Sequence, residues 1–599
     1  MAVEDKNISY RIYLVAFAMF VMACAIVIKL TNIQWVEGAH YRKLAKERTV
    51  KNFKIEANKG NIYSADGSLL ATSIPNYEIR FDAVVPKTEL FQRSVDSLAD
   101  SLAYLLGKPS HFYENELRKA RAKKNRYFLI ARNLSYTDYV KIKGFPLFKA
   151  GANKGGIIVA QKTVREYPIG KIAERTIGYE RVKPDGTPDG KGIEWAYRKY
   201  LNGKDGKILK QKIAKGQWKP IRDLNEVDPI DGYDVISTID VFIQDIAHHA
   251  LLKQLEEYDA EHGCVVVMET KTGRIKAISN LGKATDGSYY ETQNYAITEA
   301  HDPGSTFKLV DLMAVLEDKV ADTSTVFDAN GGIIRIHGKP VEDSHHGLGK
   351  VSLAHGFEVS SNTIMVQSVY NNYKNNPSKF IKHIEDWGLD KKIGLELKGE
   401  ATPKIPKPGE AGWSALSLPW MAFGYGINVT PMQTLTYYNS VANNGVMVKP
   451  QLVSEIKKWN STIKKIEPQV INPKVCSPET LKKIRVVLEN VVRRGTAKSL
   501  YTKEFPMAGK TGTAQMNYGN KSGSGMYYAS SFVGYFPANK PQYTCIVVVH
   551  KPNTAHNNYY GADVAGPVFK RIAQKIFTDA PSTNEIRKID RKIPKQELD

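Results

Sequence analysis

Ser305 and Lys308 stand three residues apart in His301-Asp302-Pro303-Gly304-Ser305-Thr306-Phe307-Lys308. On a helix that spacing puts a hydroxyl and an amine on one face, within reach of each other. A serine hydroxyl is a poor nucleophile near neutral pH unless a neighbouring base takes its proton. A lysine whose pKa is lowered by a desolvated or cationic pocket can do so. The Pro-Gly pair stops the preceding chain, so the pattern predicts a helix opening at Ser305. Its free backbone N–H groups and positive dipole end would then favour a developing oxyanion. Phe307, Leu309, Val310, Leu312, Met313, Val315 and Leu316 follow and predict a helix buried on most sides. The expectation is a catalytic serine at the buried end of a core helix.

The pattern recurs elsewhere, so context must separate signal from chance. Ser454-Glu455-Ile456-Lys457 and Ser461-Thr462-Ile463-Lys464 also read S-x-x-K but lie in a charged stretch. Lys271-Thr272-Gly273 joins two apolar runs as a hairpin turn would, and Ser582-Thr583-Asn584 lies in a polar tail. Only Ser305-x-x-Lys308, then Ser360-Ser361-Asn362, then Lys510-Thr511-Gly512-Thr513 occur in one order with suitable surroundings. S-x-x-K, S-x-N and K-T-G in that order are the motif set of penicillin-binding proteins and class A β-lactamases.

From about Asp231 to Ile576 the chain resembles the transpeptidase domain of a class B penicillin-binding protein. The resemblance rests on the three motifs, on Asp231–Asp240 as the domain entry and on Gly263–Ser279 as the first hairpin. Phe423-Gly424-Tyr425-Gly426 and Thr430-Pro431-Met432-Gln433 resemble the later helical core. Lys59-Gly60-Asn61-Ile62, Arg165-Glu166-Tyr167-Pro168, Gly192-Ile193-Glu194 and Gly203-Lys204-Asp205-Gly206 resemble the pedestal of such proteins. The family usually has arginine where Lys59 stands, which puts the pedestal's local salt bridges in question. The implied fold is α+β: an N-terminal transmembrane helix, an elongated mixed α/β pedestal, and a catalytic domain with a mixed, mostly antiparallel five-stranded sheet covered by helices. The expected divisions are 1–11 (cytoplasmic), 12–30 (anchor), 31–54 (connector), 55–230 (pedestal), 231–578 (transpeptidase) and 579–599 (polar tail).

The resemblance also implies acyl transfer. Ser305 attacks the carbonyl between the last two D-alanines of a peptidoglycan stem peptide, D-alanine leaves, and an amine of a neighbouring stem resolves the acyl-enzyme. Lys308 is the expected base, its charge lowered by Lys510. Ser360 is the relay to the leaving amine, with Asn362 fixing the count in favour of Ser360 over Ser361. Asn362 orients Lys308 and holds a substrate amide. Lys510 and Thr511, helped by Thr513, hold the substrate carboxylate, and Gly512 lets substrate backbone approach the strand. The backbone N–H groups of Ser305 and Thr513 form the oxyanion hole. The implied partners are stem peptides, β-lactams as covalent inhibitors, and a multi-span glycan polymerase with other division or elongation machinery. No cofactor, metal or nucleic acid is implied. A septal role is the first reading and elongation the second. A β-lactam-hydrolysing or sensing protein is disfavoured because no Glu-x-x-Leu-Asn lies between Asn362 and Lys510. An inactive scaffold is disfavoured by the intact trio.

The formal net charge of +22 points to an anionic partner or surface, or to solubility alone. No zinc-ligand spacing or nucleic-acid module accompanies it, and His345-His346 reads as a loop pair. Four cysteines make no disulfide scaffold. Cys264 and Cys545 lie in runs that neighbour each other in the family fold, so both a cross-strand disulfide and two buried thiols stay open. Ile12–Ile28 is uncharged and apolar and is read as an uncleaved single-pass anchor; the charges flanking it point the other way, and it is the resemblance that implies a bacterial cytoplasmic membrane with the catalytic body outside. Gln34 to Lys54 reads as a helical connector. Arg118 to Arg126 reads as a solvated basic helix face.

Overall fold

The computed structural model describes residues 2–170, 172–212, 218–220, 227–517, 525–553 and 558–579. Of the expected polar tail only residue 579 falls inside that range, and the Ser582-x-Asn584 decoy lies outside it. By its internal contacts the chain forms two compact units, Met1–Lys59 with Asn202–Gly232, and Gly60–Leu201 with Tyr233–Asp599.

The first unit holds a helix, Ala2–Thr31, whose continuation over Tyr10–Val36 is long and apolar enough to cross a membrane and is buried against nothing. A single π turn, Asn32–Val36, leads to a second helix, Gly38–Thr49. The helical connector expected up to Lys54 stops there, because Val50–Ile55 pairs antiparallel with Gly206–Lys212 as a strand. The cross-strand ladder pairs the backbone of a charged segment that would be a marginal helix on its own.

In the second unit, the N-terminal strands Ile62–Tyr63, Leu69–Phe81, Phe128–Leu134 and Ile157–Glu166 share one sheet with Asp234–Ser237, Val453–Lys458 and Ser461–Lys465. Lys59 does not cost this region its buried ion pair. Arg165 Nε lies 2.6 Å from the buried Glu194 Oε1, and Arg165 Nη1 donates to Ser73 Oγ at 3.1 Å. The basic stretch is not simply a solvated face. Arg118 pairs with Asp96 and Glu114, and Arg121 lies over the Phe91 ring while donating to the Ala83 and Pro86 carbonyls.

The second sheet runs in the order Tyr289–Tyr290, Ile275–Lys283, His262–Glu269, Tyr543–His550, Tyr527–Phe536, Ala508–Met516. The five expected strands are present with a two-residue sixth at one edge, and every neighbouring pair is antiparallel. Antiparallel order follows from two hairpins, one at each end of the domain, with the last strand closing between them. Phe532 and Phe536 pack on Phe569 of the helix Gly566–Asp579. On the opposite face Thr544 donates to Asn439 of the helix Pro431–Ala442. With both faces covered, Val265–Val267 and Val547–Val549 run continuously apolar instead of alternating. Cys264 faces Val548 across the ladder and Cys545 faces Val267. The two thiols therefore project from opposite faces of the sheet, and both are free and buried.

The segment between the hairpins delivers the nucleophile. Residues Lys308 to Leu316 are all buried, as the apolar run predicts. The helix starts later than expected, though: Gly304–Thr306 forms a 3₁₀ turn and the α-helix begins at Lys308. The turn is pinned from outside. Gly304 N–H donates to Gly424 O at 3.1 Å, and the Tyr438 hydroxyl donates to Thr306 O at 2.8 Å.

Replacing Tyr438 with Phe strips the Thr306 carbonyl of a buried donor and should cost about 1–3 kcal/mol of stability. Thermal or denaturant unfolding of the soluble domain measures it; an unchanged midpoint would mean the bond does not help to hold the turn.

Candidate active site

Three loops and one strand converge on a cavity of about 500 Å³ lined by Ser305, Ser360, Asn362, Thr511 and Thr513. Ser305, in its 3₁₀ turn, is half-buried. Its Oγ makes no hydrogen bond to any described residue, so the direct contact with Lys308 expected from the spacing is not made.

Lys308 turns instead toward the second motif. Its Nζ donates to Ser360 O at 2.7 Å, to Asn362 Oδ1 at 2.6 Å and to Ser360 Oγ at 3.3 Å. Asn362 is held in turn by donation of Nδ2 to Glu342 O at 2.7 Å. Ser360 sits between the helices Leu353–Glu358 and Asn362–Tyr373 with φ +60, a conformation a non-glycine residue adopts at a cost of about 1–3 kcal/mol. Its neighbour Ser361 does a different job. Ser361 Oγ caps the following helix at Ile364 N and donates to Asp343 Oδ2 at 2.8 Å. One serine of the pair faces the cavity and the other is a buried N-cap.

Lys510 closes the arrangement from the strand Ala508–Met516. Its Nζ reaches Ser360 Oγ at 2.9 Å and Thr511 O at 3.0 Å. Ser360 Oγ thus bridges two buried amines. Burial lowers Lys308 to about 7, against the opposing pull of Asp343 and Asp311. Burial, and then the Lys308 charge, push Lys510 well below the usual lysine range. Burial is the larger cause for both amines, and the repulsion between them disfavours a second charge at the site.

The strand is the outer edge of its sheet. Gln515 N–H points off that edge to the Tyr425 hydroxyl at 2.8 Å. Two-residue alternation directs Thr513 N–H to the same open side, where an oxyanion donor is needed. The Thr513 hydroxyl accepts from Gly561 N–H at 3.0 Å, and Thr511 Oγ1 lies 2.7 Å from Thr496 Oγ1. Gly512 is also closely packed within the protein. A Cβ there would meet Ser531 Oγ at 2.3 Å and Thr306 Cγ2 at 2.9 Å, so glycine makes room for the protein's own nucleophile turn.

Sequence reasoning missed Tyr425, Arg494, Thr496 and Tyr560 on the cavity wall, and set aside His345, which lines it from a loop. Arg494 is anchored on the buried Glu358, and a Cβ at Gly495 would meet Glu358 O at 2.2 Å. A close approach of that kind, hinted at by Arg493-Arg494-Gly495-Thr496, was the available signal. Asp311 was also missed: it is buried one turn beyond Lys308, and neither carboxylate oxygen has a hydrogen-bond partner among the described residues. The decoys separate cleanly. Ser454–Lys457 and Ser461–Lys464 lie on strands, where residues three apart face opposite sides, and Lys271-Thr272-Gly273 is a hairpin turn.

A Lys308 that titrates near 7 accepts the Ser305 proton only when neutral. Acylation of Ser305 by an activated ester should therefore rise with pH through about 7 and fall about tenfold per unit below it. Stopped-flow acylation rates across pH 5–9 check this; a flat profile would remove Lys308 as the base.

Two family models match the chain: penicillin binding protein transpeptidase domain over residues 263–574 and penicillin-binding protein dimerisation domain over residues 54–237. Stage V sporulation protein D of Bacillus subtilis (strain 168) is 27% identical over 610 aligned positions, covering 98% of this chain and 89% of that protein. Peptidoglycan D,D-transpeptidase FtsI of Escherichia coli (strain K12) is 25% identical, covering 92% and 88% respectively. The crystal structure of penicillin binding protein 2X from Streptococcus thermophilus matches with a TM-score of 0.71 and 20% identity, over 92% of this chain and 83% of that one. At that identity the likeness is one of fold.

Proposed function

The chain belongs to the penicillin-binding protein transpeptidase family, and from that membership we propose a peptidoglycan D,D-transpeptidase working through an acyl-enzyme on Ser305. The observation that carries the residue assignment is Ser360 Oγ lying between Lys308 Nζ and Lys510 Nζ behind a cavity lined by Ser305.

In the proposed cycle, neutral Lys308 takes the Ser305 proton as Oγ attacks the carbonyl of the penultimate D-alanine. The oxyanion is held by the backbone N–H groups of Ser305 and Thr513. As the C–N bond breaks, a proton passes by way of Ser360 to the amine of the leaving D-alanine. An amino group of a second stem then attacks the ester, gives up its proton through the same groups, and releases Ser305 with a new amide cross-link. Lys510, Thr511 and Thr513 hold the terminal carboxylate, whose charge keeps Lys510 protonated while substrate is bound. Asn362, tied to Glu342 O, keeps Lys308 aimed into the site. A β-lactam would enter the same cycle and stop at the ester.

Residues 55–230 are proposed as the pedestal and 231–578 as the catalytic domain. The apolar helix is compatible with a single-pass anchor. We place it in the cytoplasmic membrane with the catalytic domain outside, where a multi-span glycan polymerase would supply nascent strands. Relatives named FtsI favour a septal role in cell division over elongation.

Membranes labelled with a fluorescent penicillin should show a band that Ser305→Ala abolishes. Equal labelling of the variant would move the nucleophile elsewhere, and no labelling of folded wild type would leave a scaffold. Depleting the protein should give long unseptated cells; rounded cells would transfer it to elongation.

A further inference from the structure

Away from the catalytic cavity, a buried cluster of imidazoles around one carboxylate holds polar atoms that no described protein group satisfies. His262 begins one central strand and His550 ends its neighbour, directly opposite in the ladder. Their rings stack with centroids 4.4 Å apart. Glu299 reaches both: its Oε2 lies 2.9 Å from His262 Nε2 and 3.9 Å from His550 Nε2. His301 presents its ring edge-on to His550 at 4.7 Å. His550 is 3% exposed, and its Nδ1, like His301 Nδ1, has no hydrogen-bond partner. Interiors rarely leave such atoms unpaired, and the other nitrogen of the His550 ring, Nε2, is the one that faces Glu299.

We propose that His262, Glu299 and His550 bind a divalent transition-metal ion, zinc by the donor set. One ligand atom from each lies within 4.8 Å of the others. Two imidazoles and a carboxylate suit zinc, whose bonds of about 2.0–2.1 Å set tetrahedral ligand atoms about 3.3 Å apart. The observed separations of 2.9 and 3.9 Å straddle that value. On entry the ion replaces the His262–Glu299 hydrogen bond, neutral His262 exchanges its Nε2 proton for one on Nδ1 by way of solvent, and the stacked rings splay so that their lone pairs converge. Glu261 lies 3.9 Å from His262 Nδ1, and the neighbouring Lys551 is paired with that same Glu261. None of the three ligands lines the catalytic cavity. Glu299 and His301 belong to the segment that enters the nucleophile turn, so the ion clamps that segment to the ends of two central strands. It takes no part in acyl transfer.

The test uses the full-length, tag-free chain in detergent, stripped with a chelator and titrated with Zn²⁺ by calorimetry and Co²⁺ by visible absorption. The expected result is one ion per chain, four-coordinate Co²⁺ bands and a raised unfolding midpoint. His550→Phe, which keeps a stacked ring, and Glu299→Gln should each weaken binding by about 10–100-fold. The absence of saturable one-to-one binding in wild type overturns the proposal, and so does unchanged affinity in either folded variant. Should one variant fail to fold, the other and the wild-type titration decide.

Discussion

Two buried lysine amines share one hydroxyl, and the catalytic half of this molecule is arranged around that fact. Burying a charged amine costs several kcal/mol unless it is neutralised or fully hydrogen-bonded. Lys308 and Lys510 are both fully buried. They are tolerated because oxygen acceptors surround them: the Ser360 carbonyl and hydroxyl, the Asn362 amide oxygen and the Thr511 carbonyl. Neighbouring amines cannot both keep their protons in such a place. The same burial that makes the arrangement costly makes Lys308 a base near neutrality.

The constraint reaches outward through backbone. Ser360 must adopt a positive φ to present both its carbonyl and its hydroxyl to Lys308, and the helices on either side hold it there. Ser361 caps the second of those helices and ties it to Asp343, which also pulls on Lys308 electrostatically. On the other wall, the nucleophile turn is held closely on two sides: a Cβ at Gly424 would meet Gly304 O at 2.0 Å, and one at Gly512 on the edge strand would meet Thr306 Cγ2 at 2.9 Å. Gly424 carries the further demand of φ +84. The strand edge thereby stays open to substrate while its inner side is used up in holding the serine.

The anchors beneath the cavity belong to elements far apart in the chain. Tyr438 holds the nucleophile turn from below, and Tyr425 accepts from Gln515 where the open strand edge ends. In the other direction, Tyr197 donates to Glu396 and Arg175 N–H donates to Glu291, joining the N-terminal strands to the catalytic body as one compact unit. Catalytic geometry here is set by packing between layers, and the catalytic residues occupy the seams.

The amino-acid sequence by itself determined the order of the three motifs, the buried character of the helix after Ser305, the two hairpins of the sheet and the apolar N-terminal helix. Each is a local matter of spacing and apolar periodicity, and both are written residue by residue. Tertiary structure alone decided that Lys308 donates to the Ser360 carbonyl and makes no bond to Ser305, that Ser361 is a cap, and that Gly512 packs against the nucleophile turn. It also decided that Cys264 and Cys545 face opposite sides of the sheet, and that His262, Glu299 and His550 meet. Those outcomes depend on register and on contacts between segments tens to hundreds of residues apart. A strand shifted by one residue reverses every facing, and no local pattern records which neighbour a side chain will find.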